Sequence, residues 1–336
     1  METNGEFVSK FQDYDEDDIR QRPGKHKSRP RTKDRPTHKN SITGIVITVD
    51  RGRFTVNLKN SNSFIYAIKA RDLGRKGVVV GDSVELVGVD ENNPENMARI
   101  IKVNERKNTL SKSSDDVDSN EKILVSNVDN VAIVTSTTNP DPNTRLIDRT
   151  IIAAKLAGAE PFIVATKTDL KNEADLIKFY EPLNIKVIPI NKDSNLDNLN
   201  IELANKTTVF VGPSGVGKSS LVNRIVPEAN RRTGDVNEVT GRGKHTSTSA
   251  YALSLNESTW IIDTPGIRTF GLAHVENEQI LAGFPELLEF SLKCQKNCNH
   301  LDSNCEIEKS CTNNPQLLVR LDSLRRLLLS LEQNIE

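Results

Sequence analysis

The sequence predicts a multidomain α/β protein with a small β-barrel, then a parallel sheet with helices on both faces, then a helical module that carries the cysteines. Three observations support this fold class. Short alternating apolar runs fill residues 42–107, a glycine-rich loop stands between a strand and a helix near residue 215, and all four cysteines lie within residues 294–311. A chain of 336 residues exceeds what one hydrophobic core usually supports, which favours several domains.

The composition excludes several classes of protein. Charged residues make up 27% and hydrophobic residues 36% of the chain, and no apolar run approaches the roughly 20 residues that span a bilayer. The first six residues show no basic segment followed by an apolar one, so no secretory signal is expected. We therefore expect a cytoplasmic monomer without a membrane partner.

Residues 1–40 are predicted to form a disordered tail that is first acidic and then basic. Aspartate and glutamate crowd residues 11–19, whereas residues 20–39 carry nine lysines and arginines among three prolines. Such a segment buries too little apolar surface to offset its ordering entropy. The basic part suits contact with the phosphate backbone of RNA, and a purely solubilising tail is the alternative.

Residues 41–112 are predicted to form a barrel of the OB type. Alternating runs give about five strands in some sixty residues, which suits a small closed barrel. Aromatic residues on its strands could stack on nucleotide bases, although alternation more often marks core positions. These aromatic residues are Phe54, Phe64 and Tyr66, and the runs are 44–49, 54–58, 63–68, 78–80, 83–87 and 98–103.

A second domain is predicted over residues 122–285, after a polar linker at residues 108–121. Short apolar runs flank a helical pattern, which is typical of a parallel sheet with crossover helices. The predicted helix covers residues 146–156, and the predicted strands cover residues 131–134, 161–165, 187–190 and 208–211.

The strongest motif is a glycine-rich loop that follows the strand at residues 208–211 and opens a helix, the context that a P-loop requires. In such a loop the backbone N–H groups face phosphates at a helix N-terminus. Lys218 would reach the β and γ phosphates of a nucleotide, and Ser219 would ligate Mg²⁺. The expected binding residues are Gly212, Pro213, Ser214, Gly215, Val216, Gly217, Lys218, Ser219 and Ser220.

A second phosphate-site motif is Asp263-Thr264-Pro265-Gly266, which follows the apolar run 258–262. An acidic residue at a strand end is the position from which a second carboxylate holds Mg²⁺ through water. We expect this role of Asp263, and we expect the N–H of Gly266 to contact the γ phosphate.

Residues 241–248 lie between these motifs and are basic and rich in hydroxyl groups, which predicts a switch loop. Either Thr246 or Thr248 would close over Mg²⁺ and the γ phosphate, ordering the loop in the triphosphate state.

Base choice is predicted from Thr166-Lys167-Thr168-Asp169, which follows the strand at residues 161–165 and resembles the guanine motif NKxD. The aspartate would accept hydrogen bonds from N1–H and the 2-amino group of guanine, which adenine does not offer, while the stem of Lys167 lies over the base. Asp169 therefore favours GTP over ATP. Thr166 stands where the motif has asparagine, which removes an amide that would tie this loop to the P-loop, so we expect a modest affinity for nucleotide.

The order of these motifs is informative. The guanine motif precedes the P-loop, whereas a conventional small GTPase has the reverse order, so residues 122–285 are expected to form a circularly permuted G domain. The chain then leaves this domain directly after Gly266, which attaches the C-terminal residues 286–336 to a segment that moves on hydrolysis.

This permuted order, with a barrel before it and cysteines after it, resembles the ribosome small-subunit-dependent GTPase A family, RsgA. The resemblance covers nearly the whole chain and implies a late assembly factor that binds the maturing 30S subunit and its 16S rRNA, hydrolyses GTP to GDP when stimulated by the subunit, and then leaves. Other matching segments are residues 127–129, 146–149, 212–220, 241–246 and 284–287.

The cysteine cluster is expected to hold one Zn²⁺ in a zinc-binding and helical C-terminal domain, residues 286–336. The family pattern implies Cys294, Cys298, His300 and Cys305 as ligands, although two of the gaps between them are one residue shorter here. A Cys₃His site tolerates such changes. Cys311 is a possible substitute for Cys305. Leucines at helical spacing from residue 317 to 331 predict an amphipathic helix with Arg320, Arg325 and Arg326 on its other faces. The helix would pack against the zinc module or the G domain, and contact of its arginines with RNA or a partner is the alternative.

The position of the water-orienting glutamine of Ras-like enzymes is occupied by Ile267, so slow intrinsic hydrolysis is expected. His245 in the switch loop could position the water instead, and contact with RNA or solvent is its alternative role.

Two other functions remain open from the sequence. One is a P-loop ATPase or kinase whose barrel binds a substrate, which Asp169 disfavours. The other is a nucleotide-switched RNA-binding protein with negligible turnover, which Ile267 keeps open.

Overall fold

A computed structural model describes residues 40–112, 122–226 and 250–332, apart from short gaps at 60, 62, 75–76, 92, 94–95, 268–269 and 273–274. The predicted tail, residues 1–39, lies outside the described residues. The predicted switch loop with His245, Thr246 and Thr248 also lies outside them.

Five strands form a closed barrel, as predicted. The order is β1-β2-β3-β5-β4, and β4 pairs back with β1 to close it, with β3 and β5 parallel and the other pairs antiparallel. Inward side chains such as Val46, Val56 and Ile100 fill its core. The strands are β1 (Ile42–Asp50), β2 (Arg53–Leu58), β3 (Phe64–Lys69), β4 (Ser83–Val87) and β5 (Ala98–Val103).

Two details of the barrel differ from the prediction. The run 78–80 is not a barrel strand, because Val80 makes an isolated bridge with Val125 outside the barrel. Phe54 points into the barrel core, so it cannot stack on a base, whereas Phe64 is 41% exposed and Tyr66 is partly buried. A short 3-10 helix, Arg71–Leu73, lies between β3 and β4.

The polar segment predicted as a linker contributes a strand. β6 (Thr109–Lys112) pairs with β7 (Lys122–Ser126), and residues 113–121 lie outside the described part of the chain. The hairpin is fixed to the barrel by the buried carboxylate of Asp82, which accepts hydrogen bonds from Arg106 at 2.7 and 2.8 Å and from Ser126 at 2.7 Å. A four-residue strand among polar residues has too few alternating positions to be recognised by its pattern.

The second domain is built on six strands in the order β10-β9-β8-β11-β13-β12, in which β12 alone is antiparallel to its neighbour. The parallel strands are buried on both faces, which explains their continuous apolar runs. Because these strands are parallel, their carboxyl ends lie along one edge of the sheet. The strands are β8 (Asn130–Ser136), β9 (Glu160–Thr166), β10 (Val187–Pro189), β11 (Thr207–Val211), β12 (Tyr251–Ser254) and β13 (Trp260–Asp263).

Helices cover both faces of this sheet, as predicted. Side chains of α1 and α2 pack on one face with Val131 and Ile133, and those of α3 and α4 pack on the other with Ala132 and Val134. The helices are α1 (Thr144–Leu156), α2 (Ala174–Tyr180), α3 (Asp197–Leu203) and α4 (Lys218–Ile225), and a 3-10 helix, Glu181–Leu183, follows α2.

Four further helices end the described chain, and they share the core of the sheet domain. Leu287, Ile307, Leu324 and Leu328 belong to the same buried cluster as α1 and α2. The long helix α8 packs against α1, α5, α6 and α7. The helices are α5 (Asn277–Ala282), α6 (Pro285–Ser291), α7 (Glu306–Cys311) and α8 (Pro315–Glu332). None of the described helices is long and apolar enough to cross a membrane.

Candidate functional site

The P-loop lies between β11 and α4, in the strand–loop–helix context that the motif requires. Gly212 passes so close to β8 that a Cβ atom there would stand 2.3 Å from the carbonyl oxygen of Val134. Gly217 adopts a φ of 90° directly before α4, a conformation that L side chains rarely adopt. The loop therefore needs glycine at both positions, and it leaves Ser214 and Ser219 exposed at the carboxyl edge of the sheet.

Lys218 and Asp263 meet at this edge although 45 residues separate them. The ammonium of Lys218 is ion-paired with Oδ1 of Asp263, and both side chains are buried. Oδ2 of Asp263 accepts a hydrogen bond from the hydroxyl of Tyr251 at 2.9 Å. Thr264 donates to the carbonyl oxygen of Phe210 at 2.7 Å, which fixes the start of the Asp263-Thr264-Pro265-Gly266 segment against β11.

Thr166 corrects an expectation. Its hydroxyl lies 2.5 Å from the carbonyl oxygen of Val216 in the P-loop and 3.2 Å from that of Thr135. The substitution of threonine for asparagine therefore does not untie the guanine loop from the P-loop. The hydroxyl makes the tie because Thr166 ends β9 at the same sheet edge from which the P-loop rises.

Lys167 makes a second tie between the same two loops. Its ammonium donates to the carbonyl oxygen of Gly215 at 2.9 Å and to that of Asn139. Thr137 donates to the carbonyl oxygen of Lys167 at 2.9 Å. Asn139 and Thr137 were not identified as site residues from the sequence. Their position just after β8, at the carboxyl edge of a parallel sheet, is a signal from which they could have been identified.

Asp169 is exposed beside these ties, as a group that meets a base must be. The neighbouring loop after β10 is held by Arg224 of α4, which donates to the carbonyl oxygens of Asn191 at 2.7 Å and Ser194 at 2.6 Å. The backbone N–H of Thr168 lies 3.5 Å from the carbonyl oxygen of Ile190. Arg224 therefore connects the P-loop helix to the wall of the expected base site, a role that no local motif signals.

The segment after Asp263 turns at Gly266, which is exposed with a φ of 73°. The next side chain, Ile267, is 6% exposed and belongs to the same buried core cluster as Phe270. The position at which a glutamine would orient water thus carries an apolar group that faces inward.

The four residues expected to bind zinc converge in the C-terminal part. Their ligand atoms all lie within 4.8 Å of one another. The Sγ atoms of Cys294 and Cys305 are 3.6 Å apart, and Nδ1 of His300 lies 3.7 and 3.5 Å from them. Tetrahedral Zn²⁺ with bonds of about 2.0–2.3 Å needs ligand atoms about 3.5–3.8 Å apart, a spacing that Cys294, His300 and Cys305 match. Cys298 lies within 4.8 Å of them and completes a Cys₃His set of the kind that binds this ion. Cys311 is buried on α7 and is not among the converging residues.

Arg325 of α8 stabilises the segment that carries His300 through three hydrogen bonds. It donates to the carbonyl oxygens of His300 at 2.9 Å and Asp302 at 2.8 Å and to Glu308 at 2.6 Å. Burial, and then the charge of Arg325, lowers the pKa of His300, which favours the neutral imidazole that binds metals. Burial raises the pKa of the Cys305 thiol to about 11, and metal binding is what would make its thiolate favourable.

The sequence pattern places Arg320 off the leucine face of α8, and the structure nevertheless buries it. It is 6% exposed and donates to Asp148 of α1 at 2.9 Å and to Glu286 of α6 at 2.7 Å. Its guanidinium also lies 4.5 Å from the ring centroid of Phe284. This buried network joins the end of the chain to the domain that carries the P-loop.

Fold and site together define a P-loop nucleotide-binding protein whose guanine-type loop precedes its P-loop in the chain. A sequence model of the RsgA GTPase family matches residues 103–273. The small ribosomal subunit biogenesis GTPase RsgA of Haemophilus influenzae is 34% identical over 303 residues, which cover 87% of this chain and 86% of that protein. The chain therefore belongs to the RsgA GTPase family of GTP hydrolases.

Other relatives and solved structures agree with this assignment. The protein of the same name in Actinobacillus succinogenes is 34% identical over 300 residues, which cover 86% of this chain and 84% of that one. The crystal structure of YjeQ from Thermotoga maritima matches with a TM-score of 0.66 at 25% identity and covers 87% of this chain and 99% of that one. YloQ, described as a circularly permuted GTPase, has a similar fold, with a TM-score of 0.65 at 22% identity over 89% and 97% of the chains.

Proposed function

We propose that this chain hydrolyses GTP in the cytoplasm as a late factor in the assembly of the 30S ribosomal subunit, acting when the subunit and its 16S rRNA stimulate it. The observation that carries the proposal is the pair of hydrogen bonds from the side chains of Thr166 and Lys167 to backbone carbonyl oxygens of the P-loop. These hydrogen bonds support a role for Asp169 as the carboxylate that reads guanine, because it is exposed and follows Lys167 by two residues. The relatives named above bear the name of a small ribosomal subunit biogenesis GTPase.

The nucleotide would bind along residues 212–220, with Lys218 at the β and γ phosphates and the N–H of Gly266 at the γ phosphate. Ser219 and Asp263 are the described residues that would hold Mg²⁺, and Thr246 or Thr248 would complete its shell. The roles of Ser219 and Asp263 are supported by their chemistry and position. Ser219 offers a hydroxyl on the first turn of α4, Asp263 offers a carboxylate at the end of β13, and both lie at the same edge of the sheet. Bound Mg²⁺ would neutralise charge that develops on the phosphates.

Selectivity for GTP should depend on Asp169. In Asp169→Asn, an NH₂ donor replaces one of the two carboxylate oxygens that would accept hydrogen bonds from guanine. The preference for GTP over ATP should therefore fall by at least about tenfold, the effect of one mismatched hydrogen bond at a charged group. Rates of GTP and ATP hydrolysis, each with and without 30S subunits, measure this. Asp175→Asn on α2 is the matched control and should leave the preference unchanged.

The same rates decide between the proposed function and its rivals. A stimulation by 30S subunits that is confined to GTP is the expected result. Equal turnover of both nucleotides, with no response to 30S subunits, would support an ATPase instead. Binding of GTP without turnover, even with 30S subunits present, would favour a nucleotide-switched RNA-binding protein.

His245 is proposed as the group that positions the attacking water. This proposal is supported by Ile267, which is buried in the core and has no group that could orient water. His245→Ala should lower 30S-stimulated hydrolysis by about a hundredfold or more, the range of general acid–base effects, while GTP still binds. Full stimulated turnover by this variant would remove His245 from the mechanism.

The Cys₃His centre is proposed to hold one structural Zn²⁺ through Cys294, Cys298, His300 and Cys305. Four protein ligands leave no open position, so the ion would stabilise the C-terminal helices rather than take part in chemistry. Cys305→Ser should lower the zinc content of the purified protein well below one ion per chain and lower its melting temperature.

Cys311→Ser is the matched control for the zinc centre, because it changes a buried cysteine of the same helical module. It should retain its zinc, as measured by metal analysis of the purified protein. Loss of zinc from Cys311→Ser together with its retention by Cys305→Ser would reverse the assignment of the fourth ligand.

A further inference from the structure

The strand β12 joins the barrel to the sheet that carries the nucleotide site. Along one edge it pairs with β13, where Tyr251 lies opposite Asp263. Along its other edge it pairs with β1 of the barrel, where Tyr251 lies opposite Thr48. Tyr251 is therefore the residue at which a barrel strand meets the domain of the P-loop, and its backbone is fixed on both sides.

The side chain of Tyr251 shares one face of the sheet with its two partners. Residues directly opposite each other on antiparallel strands project to the same side. On this face Thr48 donates to Thr55 of β2 at 2.8 Å, and Tyr251 donates to Oδ2 of Asp263 at 2.9 Å. The tyrosine hydroxyl thus reaches the carboxylate from a position that the sheet itself determines.

The two oxygens of Asp263 have different partners. Lys218 holds Oδ1 and Tyr251 holds Oδ2, and these are the side chains that bond to it among the described residues. In the proposed function, the nucleotide draws the ammonium of Lys218 to its phosphates. Tyr251 is then the partner that still fixes the orientation of the carboxylate.

We propose that Tyr251 is a positioning residue for Mg²⁺ binding, because its hydroxyl holds Asp263 in the orientation from which this carboxylate reaches the hydrated ion. This inference rests on the proposed function. In this proposal Tyr251 acts through Asp263 and not on the nucleotide or the ion, so its effect should appear in the dependence on metal concentration rather than in the chemical step.

Tyr251→Phe tests this proposal, because it removes one oxygen and keeps the ring. A hydrogen bond to a charged group is strong enough to change an equilibrium constant about tenfold. We therefore expect the half-saturating Mg²⁺ concentration for GTP hydrolysis, and for retention of a fluorescent GDP analogue, to rise about tenfold. At saturating Mg²⁺ the rate should return to within about twofold of the wild-type rate, and the affinity for nucleotide without Mg²⁺ should not change.

Tyr180→Phe is the matched control, because it also removes a buried tyrosine hydroxyl near a carboxylate. Tyr180 lies on α2, and the carboxylate beside it is Asp148. This variant should keep the wild-type Mg²⁺ dependence. An unchanged Mg²⁺ dependence in folded Tyr251→Phe, or an equal shift in both variants, would overturn the proposal. Failure of the unchanged protein to bind GTP would instead overturn the proposed function.

Discussion

Replacing Lys218 with alanine should lower the rate of GTP hydrolysis about a thousandfold. The change removes the cation that we propose the P-loop supplies to the phosphates, and loss of a single group that stabilises transition-state charge costs about that much. Lys218 is buried against Asp263 rather than extended into solvent, so water and salt would not take its place. Single-turnover hydrolysis of GTP with 30S subunits present measures the effect.

Lys155→Ala is the control for this experiment, because Lys155 is an exposed lysine on α1 that belongs to no described part of the site. It should hydrolyse GTP at the wild-type rate. A folded Lys218→Ala protein with near-normal turnover would show that the P-loop lysine does not act on the phosphates.

Much of the fold and of the site could be predicted from the sequence because the decisive signals are local. A P-loop needs glycines, a lysine and a hydroxyl within nine residues, and the residues proposed to bind zinc occupy one short segment. The buried parallel strands can also be identified in the sequence as unbroken apolar runs. Such features require no knowledge of which distant segments meet.

Contacts between segments that are distant in the chain could not be predicted from the sequence. Whether Thr166 ties its loop to the P-loop depends on the approach of Val216, 50 residues away. Alternation in β2 defines two faces, but barrel closure decides that Phe54 lies inside. The pairing of Tyr251 with Asp263 depends on strand register, and residue types alone do not give that register.

Arg320 is a case in which tertiary packing overrides the helical pattern. An arginine among leucines on α8 indicates a solvated face, yet α1 and α6 close over it and supply Asp148 and Glu286. Burial of these charges has a high desolvation cost, which mutual pairing offsets. The ring of Phe284 covers the guanidinium and keeps water away from it. The two carboxylates therefore depend on one cation.

Arg320→Leu should lower the free energy of unfolding by about 3–5 kcal/mol, because it leaves the buried carboxylate of Asp148 and the partly buried carboxylate of Glu286 without their shared partner. Urea unfolding followed by circular dichroism measures the loss. Arg145→Leu, at an exposed position in the first turn of α1, is the control and should change stability by less than about 0.5 kcal/mol. A similar small effect of Arg320→Leu would mean that the buried network contributes little to the attachment of α8.

The pH dependence of this loss provides a second readout with a definite sign. Burial raises the pKa of Asp148, and Arg320 opposes that rise. Without Arg320 the pKa should rise further, so the folded variant binds a proton at pH values where the unfolded chain does not. A group whose pKa is raised on folding contributes stability below its unfolded pKa and loses it as pH rises through the folded pKa. The deficit of Arg320→Leu relative to wild type should therefore be small in acid and grow toward neutral pH, whereas a purely steric defect would be independent of pH.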